Sequence, residues 1–127
     1  MFASDNPSGN HVHMDTVVEG NSKQTGLSPK AMMLSSLAGC SGIDIVDILK
    51  KMKITYYNLR IDIEGQLTDE HPKYYHTVNV DYYFSGAHVD EKKCKRAVQL
   101  SVEKYCGVME MFRKFATITT KIHFQNN

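Results

Sequence analysis

The sequence of 127 residues predicts a single α+β domain. Three observations carry this. From Lys30 to Lys53 the chain has room for about six helical turns, with apolar residues on nearly every face. Two later segments, NLRIDIEG and TVNVDYYFSG, alternate apolar and polar residues as half-buried strands do. A second helical pattern and a last alternating segment, ATITTKIHF, close the chain. The order is strand, helix, hairpin, helix, strand.

The first strand is NHVHMDT, residues 10–16, and EGNSKQTGL, residues 19–27, reads as loop. Ser28 then suits an N-cap, with Pro29 at the first helical position. In the hairpin, Leu59, Ile61 and Ile63 share one face opposite Arg60, Asp62 and Glu64, and Val78, Val80, Tyr82 and Phe84 share another. The link GQLTDEHPKYY supplies the breakers for an antiparallel turn. Asp90 suits the cap of a second helix, in which Cys94, Ala97, Val98, Ser101 and Tyr105 recur at helical spacing. Gly107 breaks that helix and VMEMFRKF continues as a short one. The domain runs over 1–127, and its abrupt start, MFASDNPSGNH, leaves room for a missing upstream strand.

A central helix that is apolar all round needs cover on all sides. One sheet and one further helix cover part of it, so the pattern predicts an obligate homodimer that encloses the central helices.

A formal net charge of +1 gives no reason to expect nucleic acid or an anionic membrane surface as partner. Nothing is expected to approach the roughly 18 apolar residues of a membrane span, and the start lacks the pattern of a signal peptide. The three cysteines, Cys40, Cys94 and Cys106, are an odd number, which argues against a secreted disulfide framework and for a cytoplasmic setting. Their spacing matches neither CxxC nor a zinc knuckle, and no phosphate loop, nucleotide fingerprint or hydrolase elbow is present, so neither cofactor nor metal is expected.

Cys40 lies between Gly39 and Gly42, each of which weakens a helix by about 1 kcal/mol relative to alanine. With Ala38 and Ser41 they make a small-residue surface around the thiol. That surface suits close helix packing around a filler cysteine, or the approach of a ligand. Asp44 follows one turn later on the same face, with Asp47 further along. A carboxylate raises a neighbouring thiol's pKa, so any activation of Cys40 must come from a residue distant in sequence. Cys106 lies near the start of the short helix, where free N–H groups stabilise a thiolate; it equally suits a buried cysteine at a helix end. Cys94, among Lys92, Lys93 and Lys95 on an exposed helix end, reads as incidental. His11 and His13 share a strand face as half a metal site would, but with His71, His76, His88 and His123 scattered they read as solvated. Glu103 and Lys104 read likewise.

SPKAMMLSSLAGCSGIDIVDILKKM, EHPKYYHTVNVDYYFSG and AVQLSVEKYCGVMEMF together resemble the OsmC/Ohr family, from about Ser28 to the C-terminus. The resemblance implies an intertwined homodimer, with long central helices wrapped by antiparallel sheets. It implies thiol-dependent reduction of organic hydroperoxides, with Cys40 as the peroxidatic and Cys106 as the resolving cysteine. Cys40 would pass through a sulfenic acid to a Cys40–Cys106 disulfide, which a dithiol reductant reopens. Peroxidatic members also use an arginine near the N-terminal strands and a glutamate ten residues before the cysteine. Here no arginine precedes Arg60 and that position is Lys30, followed by Ala31, so the chain resembles a subgroup lacking both. The alternative is a non-catalytic dimer whose apolar crevice binds a small hydrophobic molecule, with structural cysteines.

Overall fold

The computed structural model describes residues 1–16 and 24–126. The loop read over 19–27 therefore lies outside the described residues for 19–23. The chain groups into two compact units, Met1–Ser35 and Ser36–Asn127.

In the first unit, β1 (Phe2–Asp5) and β2 (His11–Met14) form an antiparallel ribbon. Its turn closes with the Gly9 N–H donating to the Asn6 carbonyl at 2.9 Å, and Gly9 supplies the positive φ of +85°. β1 was not legible as a strand, because FASD has no alternation and all four residues are exposed. Helix α1 (Pro29–Lys51) begins here as expected, with the Ser28 hydroxyl accepting from the Ala31 N–H at 3.3 Å.

In the second unit, Leu37, Ser41, Ile45 and Leu49 recur every four residues along α1 and form one buried stripe. Strands β3 (Asn58–Leu67), β4 (Tyr75–Gly86) and β5 (Thr117–Asn126) form a sheet with β4 at its centre. The predicted hairpin is present, with Ile61 opposite Tyr82 in an antiparallel register. β5 instead runs parallel to β4, Val80 opposite Thr120, so the sheet is mixed rather than wholly antiparallel. Parallel neighbours need a long crossover. Helices α2 (Glu91–Leu100) and α3 (Gly107–Arg113) supply it. Asp90 caps α2 as predicted, its carboxylate accepting from the Lys93 N–H at 3.1 Å. Val78, Val80, Tyr82 and Phe84 are buried with Ala97, Val98, Met109 and Phe112.

Within one chain α1 is not covered on all sides, as expected when a sheet and one further helix cover only part of it: Ile43 is 73% and Val46 49% exposed. By length and composition it also qualifies as a membrane-crossing segment, contrary to the expectation that nothing approaches one. Its buried stripe, however, is bound into a protein core, with Ser41 hydrogen-bonded to Tyr82 of β4.

Candidate functional site

The helical period of α1 puts Cys40 and Asp44 one turn apart on one face and turns Ser41 inward. The buried Ser41 hydroxyl is hydrogen-bonded to the Tyr82 hydroxyl at 2.7 Å and to the Ser101 hydroxyl at 2.9 Å. Ser101 Oγ also donates to the Ser41 carbonyl at 3.2 Å. These bonds fix the rotation of α1 against β4 and the end of α2, and so set where Cys40 faces. Burial pushes the Tyr82 pKa up to about 12, although the Ser41 bond pulls it down.

After α2 the backbone widens into a π-helical turn, Ser101–Tyr105, and the Cys106 N–H donates five residues back to the Ser101 carbonyl at 2.8 Å. The chain then leaves the helix at Cys106, whose φ of −78° and ψ of 100° are extended. Its thiol accepts from the Met109 N–H at 3.3 Å, doing for α3 what a Ser or Thr N-cap does. This manoeuvre brings Cys106 back to α1. The sulfurs of Cys40 and Cys106 and a carboxylate oxygen of Asp44 all lie within 4.8 Å of one another. Cys40 is partly exposed and Cys106 is buried.

Burial pushes the Cys106 thiol up to about 11. The Met109 N–H opposes this, while Cys40 and the charge of Asp44 add to it. The helix start thus acts on Cys106 in the expected direction, but desolvation outweighs it. Asp44 is itself raised, first by burial and then by Asp47, and its Oδ2 is buried without a hydrogen-bond partner. Among the described residues, no cation is one of the groups that act on Cys106. The arginines are engaged elsewhere: Arg60 with Asp62 and over the Tyr83 ring, Arg96 with Gln99, and Arg113 with Glu110 and the Val102 carbonyl.

Cys94 corrects its reading as a residue of an exposed helix end. It is wholly buried, and burial pushes its thiol up to about 11. Its lysine neighbours occupy the opposite, solvated side of an amphipathic helix. His11 and His13 are exposed as expected, but His123 is bound to Asp81 at 2.8 Å and stacked on Tyr83. Glu103 and Lys104 are exposed. The residues the sequence reading missed are the Ser41–Tyr82–Ser101 set, for which the one signal was a serine within each of two apolar helical stripes.

On another face of α1, Ala38, Gly39, Gly42, Ile43, Val46, Leu59 and Ile61, with Asp47 and Lys50, line an open apolar groove of about 720 Å³. A Cβ at Gly42 would stand 3.1 Å from Ile61 Cδ1, whereas one at Gly39 would meet nothing. The first glycine is explained by close packing of α1 on β3, and the second leaves the groove open.

A mixed α+β unit with a dithiol held between its central helix and its helical crossover defines the class of protein. The chain belongs to the OsmC-like family, whose model matches residues 20–121. It is 33% identical over 118 residues to Protein YhfA of Escherichia coli K12, covering 93% of this chain and 85% of that one. Its structure is similar to that of a hypothetical protein from Aquifex aeolicus VF5, with a TM-score of 0.80, 28% identity, and 97% and 86% of the two chains covered. The organic hydroperoxide resistance protein OhrB of Bacillus subtilis shares the fold at a TM-score of 0.58 and 17% identity, over 98% and 95% of the two chains.

Proposed function

We propose that the chain is a cytoplasmic, homodimeric thiol peroxidase that reduces organic hydroperoxides through Cys40 and Cys106. The observation that carries this reading is the approach of the two sulfurs to within 4.8 Å, from residues far apart in sequence. Disulfide closure brings sulfurs to about 2.05 Å, which side-chain rotation and a small backbone adjustment can supply. The exposures divide the roles: Cys40 is reachable and Cys106 is buried. The Cys40 thiolate attacks a peroxide oxygen, the S–O bond forms, the O–O bond breaks, and the alcohol leaves with a proton. The Cys106 thiolate then attacks the Cys40 sulfur, forming the disulfide and releasing water. A dithiol reductant returns both thiols by exchange. The name of the Bacillus subtilis neighbour supplies the substrate class by analogy of fold.

Two features favour the dimer. Ile43 and Val46 expose an apolar stripe along the groove. The β1–β2 ribbon is exposed along nearly all its length, and a lone two-stranded ribbon is marginal in water. A second reading is favoured by the apolar groove and by the lack, among the described residues, of a cation acting on Cys106: a non-catalytic dimer that binds a small hydrophobic molecule.

The test is intact mass and peptide mapping after brief exposure to stoichiometric cumene hydroperoxide, with hydrogen peroxide in parallel. Loss of two hydrogens mapped to Cys40–Cys106, faster with the organic peroxide and abolished in Cys40→Ser, is the expected result. Thiols still reduced after minutes would refute the peroxidase and favour the binding protein.

A further inference from the structure

We infer that the reduced dithiol, together with Asp44, is a binding site for a thiophilic divalent cation of the zinc class. Two sulfurs and a carboxylate oxygen converge within 4.8 Å. Tetrahedral zinc, with bonds of about 2.3 Å to sulfur and 2.0–2.2 Å to oxygen, sets such donors about 3.6–3.8 Å apart, so closure asks for movements of at most about 1 Å. The donor set is one that zinc accepts: two thiolates, one carboxylate, and a fourth position for water.

A second observation is independent of the cysteines. Asp44 Oδ2 is buried with no hydrogen-bond partner. A carboxylate oxygen in that condition is costly unless a proton or a cation meets it. Among the described residues, the neighbours within reach of it in the cluster are thiols, and the arginines are engaged elsewhere. A cation between the sulfurs and Asp44 satisfies all three groups at once. Asp44 also stands in the wall of a cavity of about 340 Å³, with Asp47, Ile48, Lys51, Leu100 and Tyr105 among its other lining residues.

The site has a chemical consequence. The disulfide consumes both thiolates, so metal binding and the Cys40–Cys106 bond exclude one another. A hydroperoxide that takes two electrons from the pair, its O–O bond breaking to give alcohol and water as two protons are taken up, expels the cation into solution. The site itself stands on geometry and holds whether or not the chain turns over peroxide.

The test uses the full chain, reduced, stripped with a chelator and kept anaerobic. Cobalt(II) is titrated first and zinc is then added to displace it. The expected result is one cobalt per chain, with thiolate-to-cobalt charge-transfer absorption and the intense visible bands of a tetrahedral site. The charge-transfer intensity falls by about half in Cys106→Ser, as one of two thiolates is lost. Asp44→Asn weakens binding by ~10-fold or more. Absence of charge transfer, or an unchanged spectrum in Cys106→Ser, would overturn the site. A readout without variants is protection: zinc slows alkylation of Cys40 and Cys106 in the native protein, mapped by mass, and equal rates with and without zinc also overturn it. Cobalt binding by a chain that ignores hydroperoxide would refute the peroxidase and leave the metal site standing, and the converse result would do the reverse.

Discussion

At Cys106 two physical effects oppose each other in the space of one thiol. The Met109 N–H favours the thiolate, while burial, Cys40 and Asp44 favour the thiol, and the balance lies near 11. Below that pH the thiolate fraction grows about tenfold per unit, whereas an ordinary thiol would level off near its usual 9.0. If Cys106 resolves a Cys40 sulfenate, closure of the disulfide accelerates with pH up to about 11. Rapid quenching with mass readout checks this, and a plateau near pH 9 would contradict it. From the sequence, Asp44 was correctly placed on the face of Cys40, because helical periodicity fixes that relation. Which force wins at Cys106 was not legible, because desolvation depends on what packs over the thiol.

Three elements meet at Ser41: α1, β4 through Tyr82, and the π-helical turn through Ser101. Ser41→Ala leaves the buried Tyr82 hydroxyl without its described partner, and the expected loss is about 1–3 kcal/mol in urea unfolding. The same variant loosens the rotation of α1, so the yield of Cys40–Cys106 disulfide under mild oxidant falls with it. A stability loss with unchanged disulfide yield would show that the network does not set the site. The elements themselves were largely readable. Ser28 and Pro29, Asp90, and the alternation of β3 and β4 are local signals with local causes. The parallel placement of β5 was not readable, since alternation specifies a face and not a neighbour's direction. Nor was the π-helical turn, whose one extra residue leaves no mark on an apolar period.

For the whole molecule the open question is what covers the exposed side of α1. Ile43 is 73% exposed, so Ile43→Asp falls within the ±0.5 kcal/mol or so typical of surface changes in an isolated chain. In the proposed dimer the same change buries a charge. Sedimentation is therefore expected to show the native chain as a dimer and Ile43→Asp shifted to monomer. A native monomer with the same stability as the variant would remove the dimer from the reading.

The sequence by itself determined the α+β order, the length of α1, the cap residues, and the two cysteines worth testing. Those follow from period, composition and capping chemistry, which act over a few residues. Only the tertiary structure decided that Cys40 and Cys106 meet, that Asp44 joins them with one oxygen unpaired, and that Cys94 is buried instead. Such facts depend on where a crossover returns the chain after a π-helical turn, and on how much water is left around each group. Distance and desolvation are properties of packing, and no local pattern encodes them.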